Sequence, residues 1–367
     1  MKHGNEKISN KSRVAKYILK SGGASKPEIS VGLELSMPTV LQVVKSLMDE
    51  GLITESGKQE SNGGRKATAL TVAEDICCAA GIDITTNHLS YVLIDLCGNI
   101  KSEKRIKHPF ENTPEYYREV NANLEKFLDF AQINVEKLIG VGVSLPGIID
   151  KKNKVLVRSH ILNQNNVSLK SFSDLIRFDT AFENDANNAL FAEMSTINRN
   201  TVYLSLSNSL GGAICIDGAI YGGDGFKSAE FGHMIIEPNG RQCYCGKYGC
   251  ADAYCSARVL LQYADSLDEF FVKLGHGETE VCRAWNEYLD YLAILISNLR
   301  MAFDCDIMLG GYVGGYLKSY MGDLAQRVRA YNLFDGDTLY LKNCRYEREA
   351  SAVGAAMYFT EHFLDTL

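Results

Sequence analysis

The segment GHMIIEPNGRQCYCGKYGC places His233, Cys243, Cys245 and Cys250 within eighteen residues, with Gly240, Gly246 and Gly249 between them to turn the backbone sharply. One imidazole and three thiols make one of the standard tetrahedral ligand sets for structural zinc. A chain with eleven cysteines could also use them as small buried apolar side chains. Clustering argues against that use, since Cys243, Cys245, Cys250 and Cys255 lie within thirteen residues beside turn-forming glycines. Cys255 falls past those turns in a segment of helical pattern. The expected ligands are therefore His233, Cys243, Cys245 and Cys250, with Zn2+ in a structural role.

At 367 residues the chain is long enough for two or three domains and for burying roughly three quarters of its unfolded surface. Its 46% hydrophobic and 23% charged residues are those of an ordinary globular protein. The segment MKHGNEKISNKSR is polar, so no signal peptide is expected. The longest apolar region, Tyr288–Leu309, is broken by Asp290, Arg300, Asp304 and Asp306, so no membrane span is expected. Eleven cysteines without disulfide-like spacing suit a reducing cytoplasm.

Charge is unevenly spread. Residues 1–73 hold eleven Lys/Arg against seven Asp/Glu, whereas the remainder holds 27 against 38. A small basic module on a large acidic body is the layout of a nucleic-acid-binding head. Its pattern agrees. Val14, Tyr17, Ile18 and Leu19 recur at helical spacing before the pair Gly22–Gly23. Ser25-Lys26-Pro27-Glu28 reads as a capping box opening a short second helix. After a turn at Glu34–Leu35, Ser36 caps a third helix with an apolar stripe of Val40, Val44, Leu47 and Met48. Two strands, 52–54 and 69–72, flank the loop GKQESNGGRK, which ends in Arg65 and Lys66. The order predicts a winged helix-turn-helix over 1–75, with Thr39, Gln42 and Lys45 facing a major groove and Arg65 and Lys66 on the wing.

From Cys78 onward short apolar runs (AAGIDITT, LSYVLIDLCGN, LIGVGVSLPGIID) alternate with helical segments such as Pro114–Asn134. Further strands are expected at Thr201–Leu206, Gly212–Ile216 and Asp306–Leu309, giving an α/β body.

VGVSLPGIID, the FENDANNALFAE block with Asn184, Asp185 and Asn187, the Glu230-Phe231-Gly232-His233 block, the CYCGKYGC run and LGG at Leu309–Gly311 follow one another as in the ROK family (repressor, open reading frame, kinase). The chain resembles that family along nearly its whole length. It looks most like the branch with an amino-terminal winged helix, which includes xylose-, N-acetylglucosamine- and glucose-responsive repressors. The resemblance implies a two-lobed, actin-like (ribonuclease H-like) body: a first lobe of 76–185 with 350–367, and a second of 186–349 carrying the zinc motif. It implies a sugar in the cleft, held by Asn184, Asp185, Glu230 and His233, with Asp185 at the position of the kinases' general base. A Glu two residues past the last zinc cysteine usually contacts the sugar. Here Asp252, one methylene shorter, stands there after Ala251. The residue types agree with this carry-over, because sugar hydroxyls call for convergent donors and acceptors in a partly dry cleft.

Kinases also bring backbone N–H groups against nucleotide phosphates, which favours glycine. Where family kinases have Asp-x-Gly-Gly-Thr this chain has Asp83-Ile84-Thr85-Thr86-Asn87, and the second phosphate loop reads Ser207-Asn208-Ser209-Leu210-Gly211. ATP and Mg2+ are not expected ligands. The sequence therefore points to a sugar-responsive DNA-binding regulator, a repressor of carbohydrate uptake or catabolism genes. Its expected partners are a double-stranded operator and a sugar or sugar phosphate, and its expected assembly is a homodimer or homotetramer. The alternatives are an ATP-dependent hexose kinase with a fused DNA-binding head, using Asp185 as base, and a body that is only a dimerisation scaffold.

Overall fold

The computed structural model describes residues 9–58 and 68–367. The head is built from α1 (Asn10–Lys20), α2 (Lys26–Gly32), α3 (Met37–Asp49) and the antiparallel pair β1 (Ile53–Lys58) and β2 (Thr68–Val72). Each helix starts on a serine. The side chain of Ser9 accepts from Ser12 N, that of Ser25 from Glu28 N, and that of Ser36 from Thr39 N. The Glu28 carboxylate returns to Ser25 N at 2.7 Å, completing the capping box. Caps of this kind are each worth about 1 kcal/mol. They matter in a head whose core is only Val14, Ile18, Ile29, Val40, Val44, Leu47, Leu70 and a few neighbours. Three helices followed by an antiparallel strand pair keep the element order expected of a winged helix-turn-helix. Arg65 and Lys66, the cations expected on a wing, lie outside the described residues.

The first lobe is a five-stranded sheet of β3 (Cys78–Ile84), β4 (His88–Asp95), β5 (Ile100–Lys107), β6 (Leu138–Leu145) and β10 (Thr180–Asn184), in the order β10-β6-β3-β4-β5. Strands β3, β4 and β5 form an antiparallel meander, and β6 and β10 join it in parallel. Helix α4 (Pro114–Phe130) covers one face with Tyr116, Tyr117, Val120, Leu124 and Phe127. Between β6 and β10 the chain adds a small sheet, β7 (Ile148–Asp150), β8 (Val155–Ser159) and β9 (Gln164–Ser168), and α5 (Lys170–Leu175). Helix α6 (Asp185–Glu193) follows.

The second lobe repeats the topology. Its sheet contains β11 (Thr201–Leu206), β12 (Leu210–Ile216), β13 (Ala219–Ile220), β14 (Asp306–Gly310) and β15 (Leu341–Asn343), ordered β13-β12-β11-β14-β15. Again the first three strands are antiparallel and the last two parallel. Two such units are the ribonuclease H-like halves of an actin-like body. Short helices α7 (Asp252–Cys255), α8 (Ala257–Leu260) and α9 (Leu267–Gly275) precede the long α10 (Thr279–Phe303). Leu289, Leu292, Leu295, Ile296 and Leu299 of α10 fill the core against this sheet. Helices α11 (Gly311–Leu317) and α12 (Met321–Tyr331) complete the lobe, and α13 (Ala350–Asp365) closes the chain.

Helices α6 and α13 form a shared layer. Their Ala186, Ala189, Leu190, Ala352, Val353 and Ala356 pack in one cluster with Val92 and Ile94 of the first sheet and Tyr203, Ala213 and Met308 of the second. The far end of α13 meets the head, where Leu364 joins the head core and Lys16 pairs with Glu361 at 2.8 Å and Asp365 at 2.7 Å. Among the described residues no helix is long and apolar enough to cross a membrane.

Candidate functional site

An interlobe cavity of about 540 Å³ is bounded by Pro146–Ile149, the end of β8 with His160, the β10–α6 junction, and the segment from Gly222 to Glu230. Asn184, Asp185, Glu230 and His233 all line it, so four of the expected sugar residues are brought together. The sequence dictates the junction locally. Asn184 has extended backbone and its Oδ1 accepts from Asn187 N at 3.0 Å, capping α6, while its Nδ2 donates to Gly147 O at 3.0 Å. Capping thus uses much of the Asn184 amide, and Asp185 is left in the first turn, where the helix N-terminus favours a carboxylate. Partial burial raises the Glu230 carboxyl above its ordinary value.

The metal-type residues also converge. The ligand atoms of His233, Cys243, Cys245 and Cys250 lie within 4.8 Å of one another. Cys245 Sγ is 3.7 Å from Cys250 Sγ, and His233 Nδ1 is 3.8 Å from Cys243 Sγ. Ligands about 2.3 Å from a tetrahedral centre stand about 3.8 Å apart, so the donor set fits a metal ion. Cys255 is outside the group, buried in α7 where its carbonyl accepts from Tyr288 Oη. His233 uses Nδ1 toward the cluster and turns Nε2 toward the cavity wall, 3.4 Å from the Tyr244 hydroxyl.

Asp252 departs from expectation. It is buried behind the cavity, and does not line it. Its Oδ1 accepts from Leu210 N at 2.7 Å and its Oδ2 from Arg258 at 2.7 Å. A side chain one methylene shorter than Glu stays at the backbone and fixes the β12 entrance instead. Residues the sequence reading passed over take up the wall: His160, edge-on to His233 at 5.9 Å, and Tyr244 between two cysteines. Glu183, bonded to Asn184 N, Asn187 Nδ2 and Lys151, braces the junction from beneath. His160 and Lys151 sit in polar turns with no periodicity to mark them.

A second cavity, about 70 Å³, lies where the two glycine-poor loops meet, between Asp83, Thr85, Thr86, Asp185, Ser207–Ser209 and Tyr312. Thr85 Oγ1 is spent on His88 O and His88 N at 3.1 Å each, closing a tight turn. Burial and the charges of Asp185 and Glu349 push the Asp83 carboxyl up to about 7, and burial pushes Asp185 up to about 6, both from 3.8. Raised values mean that each group favours the folded state while protonated. That contribution is lost as pH climbs from about 4 to about 7 for Asp83 and to about 6 for Asp185. Asp83→Asn is expected to stabilise the protein at pH 8 by on the order of 2 kcal/mol and hardly at pH 4. Denaturant unfolding at both pH values checks this, and equal effects at the two would contradict it.

On the head, Gln42 and Lys45 are exposed on the outer face of α3. Thr39 is half-buried on the same face, its hydroxyl 2.8 Å from Ser36 Oγ.

The model of the ROK family matches residues 79–362. The xylose repressor of Bacillus spizizenii is 28% identical over 373 residues, covering 97% of this chain and 96% of that protein. The N-acetylmannosamine kinase of Salmonella paratyphi B is 26% identical over 291 residues, 75% of this chain and 96% of the kinase. Among solved structures, a ROK family transcriptional regulator described as a homologue of the E. coli MLC protein superposes with a TM-score of 0.75 at 20% identity, covering 97% of both chains.

Proposed function

The chain belongs to the ROK family, and from that membership we propose that it is a sugar-responsive transcriptional repressor that binds operator DNA through its head. The observation that carries this reading is the contrast between the two cavities at the β10–α6 junction. The larger keeps Asn184, Asp185, Glu230 and His233 around about 540 Å³, ample for a sugar. The smaller, where a nucleotide's phosphates would need backbone N–H groups, is about 70 Å³ and is walled by Thr85, Thr86 and Tyr312. Relatives named as repressors match the head as well as the body, whereas the kinase matches three quarters of the chain.

In this reading the domain limits are 1–75, 76–185 with 350–367, and 186–349. Asp185 accepts a hydrogen bond from a sugar hydroxyl, Asn184 and Glu230 add further contacts, and His233 offers Nε2. Zinc on His233, Cys243, Cys245 and Cys250 supplies cross-links that fix the cavity wall. A homodimer or homotetramer places two heads on a two-fold operator. Gln42 and Lys45 reach base edges or phosphates, with Thr39 beside them and Arg65 and Lys66 on the wing. Sugar that weakens operator binding by some factor is itself bound more weakly by that factor on the operator complex.

Two experiments test this. In a thermal-shift screen against D-xylose, D-glucose, N-acetyl-D-glucosamine and their phosphates, at least one compound should raise the melting temperature, and Asp185→Ala should abolish the shift. No shift with any of them would leave the scaffold reading standing. Operator binding should fall steeply with salt, and Arg65→Ala with Lys66→Ala should lower the slope of log K against log salt by up to about 2. An unchanged slope would remove the wing from the interface.

A further inference from the structure

We propose that Arg105, Tyr312 and Glu349 form an interlobe clasp that transmits the lobes' arrangement to the head through α13. The inference rests on the sugar-regulator reading above. Arg105 projects from β5, the edge strand of the first sheet. Its guanidinium donates to the Tyr312 hydroxyl at 2.9 Å and to the Glu349 carboxylate at 3.2 Å, and lies 4.9 Å from the centroid of the Tyr312 ring. Tyr312 belongs to α11 of the second lobe, and Glu349 is the residue from which α13 starts. One side chain therefore ties together both lobes and the head of a helix.

The clasp is held under tension that makes it responsive. Glu349 sits at φ +55°, in the left-handed region that costs a non-glycine residue free energy and persists where neighbours hold it. Its second carboxylate oxygen is buried without a partner among the described residues, as is Oδ1 of the nearby Asp83. Arg105 is thus the cation that keeps Glu349 in place. A planar five-donor fork tolerates little sliding, so rotation of one lobe against the other must loosen one of its contacts.

What loosens there reaches the head. Helix α13 spans sixteen residues, about 24 Å. At Gly81, Gly142 and Gly354 it packs backbone to backbone against β3, β6 and α6, leaving no side-chain layer to absorb a shift. At its far end Glu361 and Asp365 hold Lys16, Leu364 fills the head core, and the Leu367 carbonyl accepts from Ser9 Oγ at 3.0 Å. Ser9 is also the cap of α1.

The test uses full-length protein, labelled operator DNA and whichever of D-xylose, D-glucose, N-acetyl-D-glucosamine or their phosphates shifts the melting temperature. Operator affinity is measured with and without saturating sugar for the wild type, Arg105→Ala, Arg105→Lys and Tyr312→Phe. The wild type is expected to change affinity about 10-fold or more with sugar. In Arg105→Ala and Tyr312→Phe the change should shrink to under about 3-fold, with the sugar still producing its thermal shift. Arg105→Lys, which keeps charge and loses the fork, should fall between. A full sugar effect in both Arg105→Ala and Tyr312→Phe overturns the clasp. If Arg105→Ala does not fold, Tyr312→Phe decides alone, since it removes one hydroxyl and keeps the ring. A wild type whose operator affinity ignores every sugar overturns the regulator reading itself, a result distinct from loss of coupling in the variants alone.

Discussion

Cys250→Ser, or removal of the metal by a strong chelator, is expected to abolish the sugar-dependent thermal shift while both β-sheets stay folded. The segment from Pro238 to Gly249 contains no helix and no strand, and most of its residues are exposed or half-buried. Its order rests on a few backbone hydrogen bonds, such as Cys243 N to Lys247 O at 2.8 Å and Gly249 N to Arg241 O at 2.8 Å, on the contacts of Arg241 with Glu287 and Tyr254, and on the four converging ligands. Structural metal sites of this class contribute on the order of 10 kcal/mol of apparent binding free energy at pH 7, in zinc-finger peptides that have little else to hold them. Losing a metal from this cluster would release His233 and Tyr244 from the cavity wall. Sugar affinity should fall by roughly 10- to 100-fold, the range in which disturbed surroundings of a metal site lower affinity or activity. Titration calorimetry with the chelated protein and circular dichroism over the same samples would separate local from global loss. Retained sugar affinity in metal-free protein would detach the cluster from the site.

A second large effect is expected at the layer between the sheets. Gly354→Val should destabilise the protein by more than about 4 kcal/mol, in the range reserved for severe core disruption. A β-carbon at Gly354 would fall on the Asn188 carbonyl, far inside the 3.0 Å that real β-carbons respect. At Gly81 and Gly142 it would meet the backbone of α13 at Ala352 and Ala355 just as closely. Backbone on both sides leaves no flexible side chain to move aside, so α13 would have to lift from α6 and both sheets would lose their common partner. Since the head docks on the same helix, operator binding should fail along with stability. Chemical denaturation checks this, and a midpoint within error of the wild type would mean that the helix is less tightly seated than described.

Much of this was readable in advance. Serine caps, the Gly22–Gly23 stop and one clear apolar stripe marked the three head helices, because those signals act locally. Strands buried on both faces, such as β3, β6 and β11, announced themselves as apolar runs. Strand β5 did not, because IKSEKRIK is an edge strand facing water and carries the charges that protect such edges. His160 follows β8 in a polar turn, where no periodicity marks it. The convergence of His233, Cys243, Cys245 and Cys250 was legible because these donors are close in sequence. Asp252 was misplaced because a motif position says nothing about reach, and one methylene decides whether a carboxylate enters the cleft or caps the backbone at Leu210. The Arg105–Tyr312–Glu349 contact joins positions more than two hundred residues apart and left no local trace.

The most direct measurement is a single titration of purified protein, ATP present, with the sugar that shifts its melting temperature, following operator occupancy and ADP together. A sugar-dependent change in operator occupancy at unchanged ADP is the result expected. Steady sugar-dependent ADP formation, with the operator complex indifferent to the sugar, would show a kinase where a repressor is described.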